Sequence, residues 1–223
     1  AMRRLRPGAA LAALQGPRQP ANRAQVPALL AEVADAWAVF ERPAARRLSE
    51  QGEQTLRLIE VEALLASGAL VVDACRHGLR TRGDWRPLAR RPVLFTLARE
   101  LAAAWPGDAT REALIATAFR TRHPDETHRA RLRVEMGRLR ALVAPMAGIE
   151  ATTRGFALKP VKGREVVLLA PPIEGEQGSL VALLSDGAAW STSALAQALG
   201  ASQRTVQRAL AELEADGRVR AIG

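Results

Sequence analysis

The sequence predicts a mainly α-helical protein with small β-sheets, in the α+β class. Apolar side chains recur at helical spacing over several segments. Short apolar runs separated by glycines occupy residues 69–88, as in a small antiparallel sheet. A long arginine-rich segment that begins at Asp125 is followed at once by a short hairpin. The 223 residues, 48% of them hydrophobic, suffice for two or three small domains with their own cores.

The N-terminal part is predicted to be a leader followed by a helical hairpin. Proline and glycine punctuate residues 1–25, which favours a leader. Apolar residues then recur at helical spacing over 26–41 and again over 44–66, so residues 26–68 are predicted to be two antiparallel helices. Each helix must cover its apolar stripe. The sequence leaves two candidates for the covering surface: the next domain, or a second copy of the chain in a homodimer through residues 26–66.

Residues 69–124 are predicted to contain a small sheet and two helices. The strands lie around Leu70, Leu79 and Trp85, with turns at His77-Gly78 and at Arg82-Gly83. A strong helical pattern covers 92–105 and ends at a Pro-Gly pair. The next helix is predicted from residue 110 to residue 119, with either Asp108 or Thr110 as its N-cap.

The segment from Asp125 to Leu158 predicts one long helix and a basic hairpin. Its helical wheel has one core stripe, formed by Leu132, Met136, Leu139 and Val143. One flank carries side chains suited to base edges, and arginine in particular bonds guanine in the major groove; these are Thr127, Arg131, Val134 and Arg138. The other flank suits phosphates and carries Arg129, Arg133 and Arg140. The hairpin tip is Thr153-Arg154-Gly155.

Residues 69–160 resemble the winged-helix effector domain of the OmpR/PhoB family of transcriptional regulators. The stretches that carry the resemblance are LVVDACRHGLRTRGDWRPLARRPVLFTLARELA, PGDATREALIATAF, RLRVEMGRLRALV and IEATTRGFAL. The resemblance implies a recognition helix in a major groove and a wing on the neighbouring backbone or minor groove. The residues then expected to face bases are Arg131, Val134, Glu135 and Arg138. Those expected to face phosphate or the minor groove are His128, Arg129, Arg133 and Arg154.

Residues 161–177 are predicted to be a linker with one strand, Val166–Leu169, which extends the sheet of the first wing. Residues 178–223 contain STSALAQALGASQRTVQRALAELEADGRV, two capped helices joined at a glycine. This stretch resembles the winged helix-turn-helix of MarR-, IclR- and DeoR-like regulators. The resemblance implies a second reading helix, followed by a wing that is incomplete because the sequence ends before a returning strand. Its expected DNA contacts are Gln203, Arg204, Gln207, Arg208, Arg218 and Arg220.

Charge points to a polyanionic partner for the first of these units. The net charge is +9, and residues 69–160 hold 17 Lys and Arg against 9 Asp and Glu. Residues 178–223 hold four of each sign. Four Trp, four Phe and no Tyr argue against a stacking platform for single strands.

Other chemistry is not expected from this sequence. Cys75, His77, His123 and His128 match no standard zinc spacing. We find no P-loop, nucleophile elbow, HExxH or dinucleotide fingerprint, so we expect neither an enzyme nor a bound cofactor. No apolar run is long enough to cross a membrane, and we expect a cytoplasmic, nucleoid-associated protein.

Taken together, the sequence favours a sequence-specific regulator of transcription that binds double-stranded DNA through tandem winged helices. Two alternatives stay open. In one, the winged helices are an interaction scaffold for RNA polymerase or another protein. In the other, the protein is a nonspecific architectural DNA-binding protein, with a steep salt dependence and no preferred sequence.

Overall fold

A computed structural model describes residues 28, 31, 34, 37, 40–49, 52–172, 180–181, 183–184, 189–215 and 219–220. The described chain is a mixed α/β protein, which agrees with the predicted α+β class. Its strands are β1 (Pro43–Ser49), β2 (Gly52–Arg57), β3 (Leu70–Asp73), β4 (Gly78–Arg80), β5 (Trp85–Pro87), β6 (Asp108–Thr110), β7 (Ala147–Ala151), β8 (Gly155–Pro160) and β9 (Val166–Ala170). Its helices are α1 (Leu58–Ala66), α2 (Pro92–Ala103), α3 (Arg111–Phe119), α4 (Glu126–Val143), α5 (Thr192–Leu199) and α6 (Gln203–Ala215).

The second helix predicted for the N-terminal hairpin is wrong over residues 44–49 and 52–57. These residues form the antiparallel strands β1 and β2, and only α1 is helical. The described positions between 28 and 41 are helical, as predicted. Gly52 adopts φ +113° where β1 turns into β2, and β1 pairs with β9 more than one hundred residues away. Long-range pairing therefore overrides the local helical spacing of Leu48 and Leu56.

The strand predicted at Val166–Leu169 is present, but its expected place is wrong. Strand β9 does not extend the wing sheet; it lies between β1 and β3 in a six-stranded sheet of order β2-β1-β9-β3-β4-β5. All five of its residues are buried. Residues 166–170 are therefore a central part of the larger sheet rather than of a linker. Residues 43–49 and 52–57 are strands of this same sheet, and the homodimer through residues 26–66 stays a prediction.

Helices α2, α3 and α4 pack around one core beside a three-stranded sheet of order β6-β8-β7. Pro92 opens α2, where the missing N–H of proline costs nothing. Thr110 caps α3 by accepting from the backbone N–H of Ala113 at 3.2 Å, so Thr110 rather than Asp108 is the cap. The predicted stripe of α4 is confirmed, because Leu132, Met136, Leu139 and Val143 are all buried.

Helices α5 and α6 share a second, smaller apolar core. Ser191 caps α5, Gly200 turns the chain at φ +68°, and Ser202 accepts from the backbone N–H of Thr205 at 3.1 Å. Leu180 and Leu183, both in helical conformation, are buried against these helices. The two predicted helices are thus confirmed. Among the described residues, no helix is long and apolar enough to cross a membrane.

Candidate nucleic-acid interface

Helix α4 begins at a cap that also holds a histidine. The Asp125 side chain accepts from the backbone N–H of His128 at 2.9 Å and lies 2.5 Å from its ring Nδ1. The bond from the backbone N–H, followed by the contact with the ring, lowers the pKa of Asp125. The His128 ring also lies 6.2 Å from the ring of Phe119. His128 is thus anchored at the start of the helix, where it was expected to meet phosphate.

One face of α4 presents the row that the sequence assigned to base edges. Thr127, Arg131, Val134 and Arg138 are all exposed. Val134 is 55% exposed, although it is one of the larger apolar side chains of the helix. The Arg131 guanidinium lies over the ring of Phe119, 4.5 Å from its centre. A cation over an aromatic face is held in place while its edge stays available for hydrogen bonds.

Carboxylates pair with three other arginines of α4. Arg138 pairs with Glu135 at 2.8 Å, and Glu126 pairs with Arg133 at 2.9 Å and with Arg129 at 3.4 Å. The Glu135 side chain is only 14% exposed. Glu135 was expected to face bases, but its side chain is largely buried and orients Arg138 instead. Arg129 and Arg133 remain exposed, where phosphate contacts were expected.

The wing tip is fixed by bonds from outside the hairpin. Arg111, the first residue of α3, donates to the carbonyl oxygens of Thr153 at 2.8 Å and Thr152 at 2.9 Å. The Thr152 hydroxyl donates to Asp108 at 2.6 Å, and the exposed Arg154 forms an ion pair with the same carboxylate. The bond from Thr152, followed by the contacts with Arg154, lowers the pKa of Asp108. The tip therefore presents Arg154 from a rigid base.

Two further features attach the wing to the helices. A Cβ atom on Gly155 would overlap the carbonyl oxygen of Ala109, so β6 and β8 approach closely only because residue 155 is glycine. The buried ring of Phe156 lies 5.6 Å from the guanidinium of Arg111 and 5.4 Å from that of Arg140. Arg140 also donates to the carbonyl oxygen of Ile149 at 2.8 Å. Arg140 thus positions the wing, although the wheel had placed it on the phosphate flank.

Helix α6 exposes the four side chains expected from the sequence. Its buried residues are Val206, Ala209 and Leu213, and its exposed polar ones are Gln203, Arg204, Gln207, Arg208, Glu212 and Glu214. Arg220 is exposed as well, whereas Arg218 lies outside the described residues. The described Val219 and Arg220 are not in a strand.

Sequence reasoning missed the supporting residues of this surface. Arg111 and Asp108 reach the wing across more than 40 residues of sequence, so no local pattern could have paired them. From the sequence, Phe119 is predicted only as the last residue of a helix, not as a partner of Arg131. One usable signal existed: an arginine directly after the capping Thr110 stands at a helix N-terminus, where a cation is unfavourable without a partner elsewhere.

Metal and thiol chemistry find no support among the described residues. No group of three or more His, Cys, Asp or Glu side chains is close enough to hold a metal ion within that part of the chain. Burial, and next the nearby Asp73, raise the pKa of Cys75 to about 12. Its thiolate is therefore scarce near neutral pH.

No protein-family model, curated protein or solved structure matches the chain.

Proposed function

We propose that the chain is a sequence-specific transcriptional regulator that binds double-stranded DNA, with α4 in a major groove and the β7–β8 hairpin as its wing. In this proposal residues 69–160 act as an OmpR/PhoB-like winged helix. Residues 178–223 act as a second winged helix-turn-helix of the MarR, IclR and DeoR kind. The location that goes with this activity is the nucleoid.

The observation that carries the proposal is the exposed row on α4 beside a rigid basic wing. The row combines two guanidiniums, which bond guanine, with the hydroxyl of Thr127 and the apolar Val134, which suits a thymine methyl group. Arg129 and Arg133, exposed on the same helix, and Arg154, at the tip of the wing, supply phosphate contacts.

The ion pairs of α4 are compatible with DNA binding. Exposed pairs of this kind contribute about 0–1 kcal/mol each to stability. The Arg129 and Arg133 guanidiniums can therefore exchange Glu126 for a phosphate at little cost. Arg138 keeps its contact with the half-buried side of Glu135, so its orientation is set before it meets a base.

The second helix-turn-helix extends the same proposal. Because it is linked covalently to the first unit, its binding would occur at a high effective concentration. Its net charge of zero gives it less attraction to phosphate than the first unit. We therefore assign most of the affinity to α4 and the wing, and a smaller, sequence-dependent share to α6.

Selection from random duplex DNA at about 150 mM salt tests the proposal, because phosphate-only binding weakens steeply with salt. The parent chain is compared with Arg131→Ala/Arg138→Ala and with a control, Arg82→Ala/Arg90→Ala. Both variants lose two exposed arginines, and only the first pair lies on α4. We expect a shared motif for the parent and the control, and no such motif for the α4 variant.

The other outcomes identify the rival functions. Binding without a motif, lost in proportion to charge in both variants, would indicate an architectural DNA-binding protein. Absence of binding by the parent would contradict the proposal and favour the protein-interaction scaffold, with RNA polymerase as one candidate partner. A motif unchanged in the α4 variant would reject α4 as the reading helix.

A further inference from the structure

A cavity of about 830 Å³ lies where the first unit meets the helix-turn-helix. Small-molecule sites span roughly 300–1,000 Å³, so its size suits a ligand. One wall is a single side of α2, with Val93, Thr96 and Arg99 three residues apart. The end of α3 and the larger sheet contribute further lining, and residues 196–201 of α5 and its following turn form the opposite side.

The polar lining is positive. Arg46, Arg99 and Arg120 all line the cavity, and no Asp or Glu does so within the described part of the chain. Arg46 is engaged, since it donates to the carbonyl oxygen of Pro171 at 2.8 Å and pairs with Glu53. Arg99 has only an exposed contact with its neighbour Glu100, at 3.1 Å. Charge thus favours an anion, with Arg99 and Arg120 as its anchors.

The position of Arg120 places its charge between the two units. Its guanidinium packs against Gly200, where a Cβ atom would overlap it. It forms no ion pair with any residue that the structure describes. Arg120 is exposed, so its guanidinium, without an acidic partner among these residues, is available to bind an oxyanion.

The rest of the lining combines apolar surface with one unsatisfied polar group. Leu48, Phe95 and Leu168 supply the apolar part. His77 also lines the cavity, is only 7% exposed and stacks on Phe95 with ring centres 4.5 Å apart. Its Nδ1 is buried without a hydrogen-bond partner among the described residues. An unpaired buried nitrogen costs free energy, so the cavity offers a ligand one further hydrogen-bonding atom.

We propose that this cavity binds a small organic carboxylate with an apolar body. The two carboxylate oxygens match the fork of a guanidinium, as Arg99 and Arg120 offer, and the apolar body would contact Leu48, Phe95 and Leu168. An inorganic anion would leave the apolar half of the cavity unused.

Such a ligand would touch α2, the end of α3 and α5 together. Its occupancy would therefore fix how the helix-turn-helix sits on the first unit. If the proposed function holds, this ligand is an effector that changes how α4 and α6 share a DNA site. That consequence alone depends on DNA binding, whereas the ligand site does not.

The test is ligand-observed NMR on the full chain with benzoate and octanoate, and with benzamide and octanamide as neutral counterparts. We expect the carboxylates to bind, and the amides to bind about tenfold more weakly or not at all. Arg99→Ala and Arg120→Ala should each weaken carboxylate binding about tenfold. Arg122→Ala, an exposed arginine two residues from Arg120 and outside the lining, should leave it unchanged.

Several results would overturn the site. They are equal binding of amides and carboxylates, equal losses for Arg122→Ala and Arg120→Ala, displacement of benzoate by inorganic phosphate at equal concentration, and no binding of any probe at millimolar concentration. Thermal melts followed by circular dichroism verify that each variant is folded. If Arg120→Ala does not fold, the binding result for Arg99→Ala, at an exposed position of α2, decides whether the site exists. DNA affinity measured with and without benzoate then reports regulation separately from ligand binding.

Discussion

Helix α4 and helix α6 both bury one apolar stripe and expose a row of polar side chains. They differ in what surrounds that row. Around α4, Glu135 orients Arg138, Phe119 holds Arg131, and a hairpin fixed by Arg111 and Asp108 stands beside the helix. Beside α6, the described Val219 and Arg220 are not in a strand, and the unit has no excess charge.

This difference suggests that, if the two helices bind DNA as proposed, the contacts around each helix matter as much as its sequence. An arginine whose orientation is already set loses less conformational entropy when it binds. We therefore expect α4 to dominate both affinity and specificity, with α6 as the weaker reader. The predictions that follow would break or sharpen that contrast, from the largest effect to the smallest.

The close approach of β6 and β8 is the support with the largest expected effect. Gly155→Ala places a Cβ against the carbonyl oxygen of Ala109 and should cost about 2–3 kcal/mol of unfolding free energy. Gly137→Ala is the matched control: its Cβ meets nothing within 4 Å, and it should stabilise α4 by about 0.5–1 kcal/mol. Urea denaturation of both variants measures the two effects. A Gly155→Ala chain as stable as the parent would contradict the close approach.

The next largest effect is a difference between the two units in how acid changes their stability. Burial, and secondarily Arg99, lower the pKa of His77 from 6.5 to about 4. Between these values the unfolded chain binds a proton that the folded chain does not, so stability falls as the pH drops from 6.5 to 4, by on the order of 2 kcal/mol. The described core of α5 and α6 contains only apolar residues. Segment-resolved hydrogen exchange should therefore show the first unit loosening before α5 and α6.

His77→Asn is the control for this pH effect, because asparagine tolerates the φ of +51° at this position. The variant should show a flatter dependence of stability on pH between 4 and 6.5. Asp73, whose pKa burial raises, is present in both chains, so the difference between the two profiles isolates His77. Identical profiles would show that His77 does not titrate differently on folding.

Glu126→Gln tests whether the carboxylates of α4 restrain its arginines, and it has the smallest expected effect. Removing this carboxylate frees Arg129 and Arg133 for phosphate and should raise DNA affinity about two- to fivefold. Glu112→Gln is matched, since Glu112 is exposed in the first turn of α3 and loses the same charge. Fluorescence anisotropy with a labelled duplex distinguishes them. An equal gain in DNA affinity for both variants would show that the effect comes from net charge and not from release of Arg129 and Arg133.

The contrast also explains which features the sequence could predict. The stripe of α4 was predicted residue by residue, because a helical period and its Asp125 cap are local. The caps and turn of α5 and α6 were predicted for the same reason. The β1–β2 hairpin was not, because its stability depends on pairing with β9, which lies far away in the sequence. Only Gly52 gave a local hint of a turn.

The candidate surface divides in the same way. Exposed positions such as Arg131 and Val134 follow from the helical wheel, and they were predicted. The roles of Glu135 and Arg140 depend on neighbours that a helical wheel does not contain. The sequence therefore predicts DNA contacts for both residues, whereas in the structure Glu135 positions Arg138 and Arg140 positions the wing. The supports of a surface are long-range contacts, and a single sequence carries little information on them.

The most direct test of the central claim compares Arg138→Ala with Arg208→Ala. Both remove one exposed arginine, the first from α4 and the second from α6. Affinity is measured by anisotropy on the selected duplex and on a scrambled one, at the same salt. We predict that Arg138→Ala loses about 1–3 kcal/mol on the selected duplex and much less on the scrambled one, with a smaller loss for Arg208→Ala. Equal binding by Arg138→Ala and the parent, or a larger specific loss for Arg208→Ala, would contradict α4 as the principal reading helix.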